Sequence, residues 1–344
     1  MHDILTPPAR ELAMPKTATI AAEAAADVIL DVAAASCRFD VSAPTLSRLF
    51  SHEPRRILRA VDNVSFSVRR GSTFSIVGES GCGKSTLARM VVGLQRPSAG
   101  SLDFRDGRRA DGSFGPPRVQ MIFQDPYASL NPRWRVGDII AEPIRELKLR
   151  PDAASTRQRV GDLLETVGLS RTDASRYPHA FSGGQRQRIS IARALATEAD
   201  FLVCDEPTSA LDVSVQAQIL NLMVRLQKEL GLTYLFISHN LSVVRHMSDD
   251  LAIMYLGRFV ETGPAEAVCG APRHPYTRGL FAAIPDVERP DRERRPMSGE
   301  VPSPISPPPG CSFNPRCTLA ADRCRVERPE LRPLDDVAVS CHLA

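Results

Sequence analysis

Short apolar runs alternate with longer amphipathic stretches from about residue 28 to residue 260, and this order predicts an α/β fold. Strands are predicted where apolar and β-branched residues run together or alternate with polar ones. The clearest such segments are residues 28–32, 60–68, 75–77, 119–123, 201–206 and 232–238. Since helical patterns separate several of them, a mostly parallel core sheet is expected.

Two helical patterns complete this picture. After the segment 75–77, apolar residues recur at the spacing of one helix face: Leu87, Met90, Val91 and Leu94. A second face lies in a helical insertion that we place at about residues 125–185: Val160, Leu163, Leu164 and Val167. Gly168 follows as a plausible stop for that helix.

The stretch between the third strand and the first helix has the spacing G-x-x-x-x-G-K-S, which is typical of a loop that binds nucleotide phosphates. Its residues are Gly78, Glu79, Ser80, Gly81, Cys82, Gly83, Lys84, Ser85 and Thr86. Backbone N–H groups of such a loop surround the phosphates, and the positive end of the helix dipole points at the same anion. We expect Lys84 to reach the terminal phosphates and Ser85 to ligate Mg²⁺. The alternative is a Gly-rich turn that matches by accident.

Polar residues stand at the ends of two later strands. Asp205 and Glu206 end one apolar run, and His239 follows another. Parallel strands bring such ends to one crevice, so Asp205 could hold Mg²⁺ while Glu206 activates a water. His239 could bond to a γ-phosphate. The alternatives are a polar strand end and a structural histidine.

A polar turn at residues 181–185, with the sequence FSGGQ, opens a basic helix. By itself this turn indicates only a helix start, with Ser182 as its N-cap.

The composition indicates a cellular compartment but does not identify a class of binding partner. Lys+Arg 43 against Asp+Glu 40 gives a net charge of +3, which does not argue for nucleic acid. No apolar stretch is long enough for a membrane span, and Glu23 and Asp27 interrupt the Ala-rich start, which makes it a poor signal peptide. Residues 1–26 are expected to be a poorly ordered arm. Four scattered cysteines favour a reducing compartment such as the cytosol: Cys37, Cys82, Cys204 and Cys269.

In this order the motifs resemble the ATPase subunits of ABC transporters. They are Walker A (78–86), the Q-loop Gln124, the signature turn (181–185), Walker B (201–205), Glu206, the D-loop (209–212) and His239. Residues 212–218, 254–257 and 274–277 are similar to the dipeptide and oligopeptide importer branch, and more narrowly to the second ATPase of its pair. Phe181 and Asn240 stand where the family more often has Leu and Asp, and the adenine-stacking aromatic is ambiguous between Phe39 and Phe50.

The resemblance implies a P-loop ATPase of the ABC type with an N-terminal antiparallel β subdomain, an inserted helical subdomain and a cysteine-containing tail. The expected domains are 27–263 for the ATPase and 264–344 for the tail. Glu206, His239 and Gln124 would be catalytic, with Ser85, Gln124 and Asp205 around Mg²⁺. ATP would be closed in by the signature turn and D-loop of a second subunit: Ser182, Gly183, Gly184, Gln185 and Asp212.

The same resemblance implies the partners and the location. They are a sister ATPase in a heterodimer, two transmembrane permease subunits and an extracytoplasmic solute-binding protein, with no nucleic acid. The chain would lie peripherally on the cytoplasmic face of the inner membrane and drive import of dipeptides or oligopeptides.

Four further cysteines cluster in a Pro-rich tail with little core of its own: Cys311, Cys317, Cys324 and Cys341. In the cytosol, thiolates on a metal are a better staple than disulfides. Zinc usually takes closer cysteine pairs, and the peptide-importer branch carries a [4Fe-4S] cluster in a tail of this kind. A [4Fe-4S] cluster is therefore predicted, with zinc as the alternative, in a structural role far from the γ-phosphate.

Other functions remain open from sequence. A nucleic-acid-associated ABC ATPase would use the same nucleotide site, although no sustained heptad run is present. A P-loop kinase would use Lys84 but has no use for the signature turn. An ABC importer of a non-peptide solute such as nickel is the third alternative.

Overall fold

The computed structural model describes residues 27–42, 55–108, 112–283, 297 and 299–344. The predicted N-terminal arm and Phe50 lie outside these residues. The described strands are β1 (Val28–Asp40), β2 (Ile57–Arg69), β3 (Thr73–Val77), β4 (Ala99–Phe104), β5 (Gly107–Arg108), β6 (Phe114–Gly115), β7 (Val119–Ile122), β8 (Phe201–Asp205), β9 (Thr233–Ser238), β10 (Asp250–Tyr255), β11 (Arg258–Pro264), β12 (Arg332–Leu334) and β13 (Val337–Val339).

The described α-helices are α1 (Lys84–Val91), α2 (Pro126–Ser129), α3 (Val136–Glu146), α4 (Ala153–Thr166), α5 (Gly183–Leu195), α6 (Val213–Leu230), α7 (Leu241–Met247), α8 (Ala265–Gly270), α9 (Pro275–Ala282) and α10 (Asp322–Val326). Short 3₁₀ turns occupy Arg171–Ser175, Pro178–Ala180 and Asn314–Arg316. None of the described helices is long and apolar enough to cross a membrane.

The main sheet has the strand order β12-β13-β11-β10-β3-β9-β8-β7. Strands β10, β3, β9, β8 and β7 pair in parallel, as the apolar runs predict. Every residue of β3, β8 and β9 is buried, as expected for strands covered on both faces. Their carboxyl ends meet at one edge, and this edge carries the predicted polar residues.

On the side of the main sheet that ends in β12, strands β10, β11, β13 and β12 pair antiparallel. The tail therefore extends the core sheet, and the side chains of Val337 and Val339 are buried there. A separate antiparallel sheet of order β2-β1-β4 covers the core, which confirms the antiparallel β subdomain. Phe66 of β2 stacks on Phe74 of β3, with ring centroids 4.7 Å apart.

Helices α2 to α5 lie between β7 and β8. The predicted face of α4 is confirmed, because Val160, Leu163, Leu164 and Val167 are all buried. The predicted face of α1 is wrong at its last position. The helix ends at Val91, Gly93 takes a positive φ of 76°, and Leu94 is 64% exposed. Because the turn at Gly93 leaves the helical path, Leu94 no longer shares the face of Leu87.

Candidate active site

A cavity of about 1020 Å³ opens at the carboxyl edge of the parallel strands. Its size suits a nucleotide. The lining combines the phosphate loop with residues from three strand ends and from the small sheet: Phe39, Leu58, Ala60, Val77, Gly78, Glu79, Ser80, Gly81, Gly83, Lys84, Ser85, Thr86, Gln124, Asp125, Glu206, Ser209, Ala210, His239 and Leu280.

The phosphate loop joins β3 to α1, as the sequence predicts. Glycine is required at Gly83, where φ is +113° and an added Cβ would lie 2.1 Å from the carbonyl oxygen of Ala60. Gly83 caps α1 with no side-chain hydrogen bond, so the first N–H groups of the helix have no side-chain cap. The Lys84 ammonium donates to the carbonyl oxygens of Gly78 and Glu79 at 2.8 and 3.0 Å. Cys82 is buried within the same loop.

The Ser85 hydroxyl donates to Oδ1 of Asp205 at 3.0 Å, which links the loop to the end of β8. Burial raises the pKa of Asp205, and the bond from Ser85 acts in the opposite direction. The two side chains offer adjacent hard oxygen atoms, which are the donors that Mg²⁺ prefers. The donor set therefore fits the ion that the sequence predicts.

The Glu206 carboxylate contacts two polar side chains that come from separate elements. Gln124 Nε2 donates to its Oε2 at 3.1 Å, and Nδ1 of His239 lies 3.0 Å from the same oxygen. Glu206 also has a positive φ of 47°, an uncommon backbone conformation for a side-chain-bearing residue that clusters at functional sites. The structure thus brings the three predicted catalytic residues together.

The signature turn is built differently from the phosphate loop. The Ser182 side chain accepts from the N–H of Gln185, and the Gln185 side chain accepts from the N–H of Ser182, which completes a capping box at the start of α5. The N-cap role predicted for Ser182 is confirmed. Gly184 packs against the helix that follows the D-loop, since an added Cβ would lie 2.3 Å from Cγ1 of Val215.

Within one chain, the signature turn and Asp212 are not part of the cavity. Ser182, Gly183, Gly184 and Gln185 are absent from the described residues that line it, and so is Asp212, which caps α6.

Phe39 is the described candidate for the adenine ring. It belongs to β1 and not to a polar connection between strands, and it lines the cavity beside Leu58 and Ala60. This part of the lining is apolar.

Residues 274–277 cap a helix, a structural role that the sequence alone did not predict. His274 Nδ1 accepts from the N–H of Tyr276 at 3.0 Å and so caps α9, while the buried Glu261 carboxylate accepts from the N–H groups of Arg273 and His274. Burial lowers the pKa of His274 to about 4, which keeps this acceptor neutral at physiological pH. The motif thereby fixes Tyr276 beside the phosphate loop.

Sequence reasoning missed two tail contacts with the phosphate loop. Arg316 forms a two-point ion pair with Glu79, and the Tyr276 hydroxyl accepts from the Glu79 N–H. Leu280 of the same tail lines the cavity. Through the Arg316–Glu79 pair the tail contacts the loop that is predicted to hold the phosphates, whereas the distance of the tail cysteines from the γ-phosphate stays a prediction. A lone arginine between cysteines gives no signal of such a partner.

The four tail cysteines gather in one region. Burial, together with the neighbouring thiols of Cys324, Cys341 and Cys317, raises the pKa of Cys311 to about 11. The Cys341 sulfur accepts from the backbone N–H of Leu343 at 3.4 Å, and the N–H groups of Phe313 and Leu319 act to lower the pKa of Cys311 and Cys317. Within the described part of the chain, however, no group of three or more Cys, His, Asp or Glu residues is arranged to hold a metal ion.

Two family models match the chain. The ABC transporter model matches residues 61–209, and the oligopeptide/dipeptide transporter C-terminal region model matches residues 260–324. The chain is 52% identical over 298 residues to a probable peptide ABC transporter ATP-binding protein of Sinorhizobium fredii, across 83% of each chain. This chain belongs to the ATP-binding proteins of peptide ABC transporters. It is therefore an ABC ATPase.

Further comparisons agree with this membership. The chain is 49% identical over 294 residues to the di/tripeptide transport ATP-binding protein DppF of Pseudomonas aeruginosa, across 83% of this chain and 90% of the relative. Among solved structures, cbiO1 of Clostridium perfringens, part of an ABC transporter complex, superposes with a TM-score of 0.57 at 26% identity, across 71% of this chain and 92% of that one. An ATP-binding cassette solved as a dimer with ADP and Pi superposes with a TM-score of 0.56 at 23% identity, across 69% and 99%, and supports the fold alone.

Proposed function

We propose that this ABC ATPase works as one half of an ATPase dimer whose hydrolysis of ATP drives import of dipeptides or oligopeptides. The proposal rests on the hydrogen bonds of Gln124 and His239 to Glu206. These residues line one nucleotide-sized cavity with Ser85, which bonds to Asp205. The peptide substrate is supported by the names of relatives such as DppF and by the match to the transporter C-terminal region.

The residues of the cavity have complementary tasks in this proposal. The loop from Gly78 to Thr86 binds the phosphates, and Lys84 exchanges its carbonyl partners for phosphate oxygens. Ser85, Asp205 and Gln124 would hold Mg²⁺, which would supply positive charge to stabilise the negative charge of the phosphates. Glu206 orients and deprotonates the attacking water, and His239 contacts the γ-phosphate.

The second subunit supplies the remaining groups. Its signature turn, Ser182 to Gln185, and its Asp212 close over the nucleotide bound by the first. Because these residues lie outside the cavity of their own chain, hydrolysis is expected to be slow in a single chain and fast in the dimer. Closure of the dimer moves the helices between β7 and β8, and Gln124 links that movement to the state of the nucleotide.

The assembly that follows contains a sister ATPase, two permease subunits and a solute-binding protein outside the membrane, with this chain peripheral on the cytoplasmic face. We assign residues 27–263 to the ATPase domain, with its helical subdomain at about 125–185, and residues 264–344 to the tail. The tail cysteines are proposed to hold a [4Fe-4S] cluster. Their shared location and the N–H of Leu343 that donates to the sulfur of Cys341 support a common ligand site, and binding of the cluster would offset the raised pKa of the Cys311 thiol.

The experiment is purification of the chain with its neighbouring subunits, followed by reconstitution into vesicles. The proposal predicts ATP turnover that rises with peptide-loaded binding protein, and uptake of labelled peptide that requires ATP. Vesicles without the binding protein are the control. Turnover that responds to DNA instead, a phosphorylated small product, or uptake of nickel without peptide would each contradict the proposal.

A further inference from the structure

Glu79 places a negative charge where a polyanion is expected to bind. It is the second residue of the phosphate loop and lines the cavity. A carboxylate close to a triphosphate is repulsive, and the repulsion grows as water is excluded from between the charges. A loop that carries such a residue needs a group that neutralises the charge and holds the side chain in place.

Arg316, near the C-terminal end of the chain, forms an ion pair with Glu79. Its Nη1 lies 2.7 Å from Oε2 of Glu79 and its Nη2 lies 3.0 Å from Oε1. The Arg316 side chain is only 5% exposed. Paired parallel bonds of this kind are both stronger and more directional than a single contact. The Glu79 side chain is 25% exposed, so removal of Arg316 leaves a partly buried carboxylate without its partner.

The backbone of Glu79 is held as well. Its N–H donates to the hydroxyl of Tyr276 at 3.1 Å, and its carbonyl oxygen accepts from the Lys84 ammonium at 3.0 Å. Tyr276 is fully buried and packs on Tyr255 with ring centroids 4.7 Å apart. Glu79 is thus fixed by the C-terminal region on one side and is bonded to the phosphate-binding lysine on the other.

We propose that Arg316 is a positioning residue for nucleotide binding: by neutralising Glu79 it holds the phosphate loop in the shape that accepts ATP. The proposal goes beyond the transport function and rests only on binding of ATP by this loop. Arg316 itself lies in the 3₁₀ turn Asn314–Arg316, where its N–H donates to the carbonyl oxygen of Phe313. The tail is therefore part of the nucleotide site and more than an external staple.

A double-mutant cycle on the full chain tests this role, with MgATP as the titrated ligand. Arg316→Met leaves the Glu79 charge unpaired and is expected to raise the dissociation constant about tenfold, within the usual range for coupled sites. Glu79→Gln removes that charge. The double variant Glu79→Gln/Arg316→Met is therefore expected to bind within about twofold of Glu79→Gln alone.

The matched control is Arg323→Met. Arg323 forms an equally short two-point pair with Glu327 in the same tail, but that pair is exposed and does not touch the loop. It is expected to bind MgATP as the unmodified chain does. In the assembled complex, Arg316→Met should raise KM for ATP and leave kcat at saturating ATP unchanged.

Two results would overturn the proposal: unchanged affinity in Arg316→Met, or a double variant that binds as weakly as Arg316→Met. The second result would assign Arg316 to general folding, since a folding defect is not relieved by removal of the Glu79 charge. If Arg316→Met does not fold, Arg316→Gln takes its place in the same cycle. That side chain is neutral but can still donate to Glu79, and the same two results decide.

Discussion

The phosphate loop and the signature turn both contain glycines and both begin a helix. Within this chain they differ in how that helix start is capped and in whether it faces the cavity. The loop at Gly83 has no side-chain cap and faces the cavity. The turn at Ser182 satisfies its own N–H groups through the capping box with Gln185 and lies away from the cavity. The difference is what we expect if, as proposed, each chain binds nucleotide through its own loop and its turn acts on the nucleotide of a partner.

The largest expected effect separates binding from hydrolysis at the cavity. Glu206→Gln removes the carboxylate that we assign to water activation but keeps a side chain that can bond to Gln124 and His239. Turnover of the assembled complex should fall about 1000-fold, in the range of a lost general base, while ATP remains bound. ATP binding and phosphate release are measured on the same preparation, and near-normal release would refute the role of Glu206.

A smaller effect is expected at the turn. Ser182→Ala removes the hydroxyl that is proposed to meet the γ-phosphate in the partner's site, and turnover of the assembled complex should fall roughly tenfold. The substitution also removes an N-cap, so the thermal midpoint is measured in parallel. Ser170→Ala, which removes the N-cap of a 3₁₀ turn in the same insertion, is the control for the capping effect. Equal turnover losses in the two variants would contradict a specific role of Ser182.

Gln124→Ala sharpens the comparison by testing the link between the two regions. Gln124 touches Glu206 and precedes the helices that carry the turn, so its loss should change coupling more than affinity. The dissociation constant for ATP should stay within about threefold, while peptide uptake per ATP hydrolysed falls. Uptake and hydrolysis are measured in the same vesicles, and a parallel loss of binding and uptake would indicate a folding defect.

The smallest change in the rate of ATP hydrolysis is expected when a tail cysteine is substituted. Anaerobically purified protein should be brown and contain iron and acid-labile sulfide, and Cys317→Ser should lose the colour and make the tail more sensitive to protease. Cys269→Ser, outside the four cysteines, should keep both properties. One zinc per chain in colourless protein would replace the iron assignment, and absence of any metal would remove both.

Local sequence signals predicted the centre of the site well. The loop from Gly78 to Thr86 needs only its adjoining strand and helix, and parallel pairing is enough to bring Asp205, Glu206 and His239 to one edge. Contacts between distant segments could not be predicted in this way. Arg316 and Glu79 are separated by 237 positions, and no periodicity links them. The early end of α1, which leaves Leu94 exposed, depends on the turn at Gly93 rather than on hydrophobic spacing.

The most direct test of the account compares MgATP binding to the isolated single chain in two variants, Lys84→Ala and Ser182→Ala. If the loop binds nucleotide within its own chain and the turn serves a partner, Lys84→Ala should weaken binding about tenfold or more. Ser182→Ala should then bind as the unmodified chain does. Equal weakening by both substitutions would contradict the division of the site between two subunits.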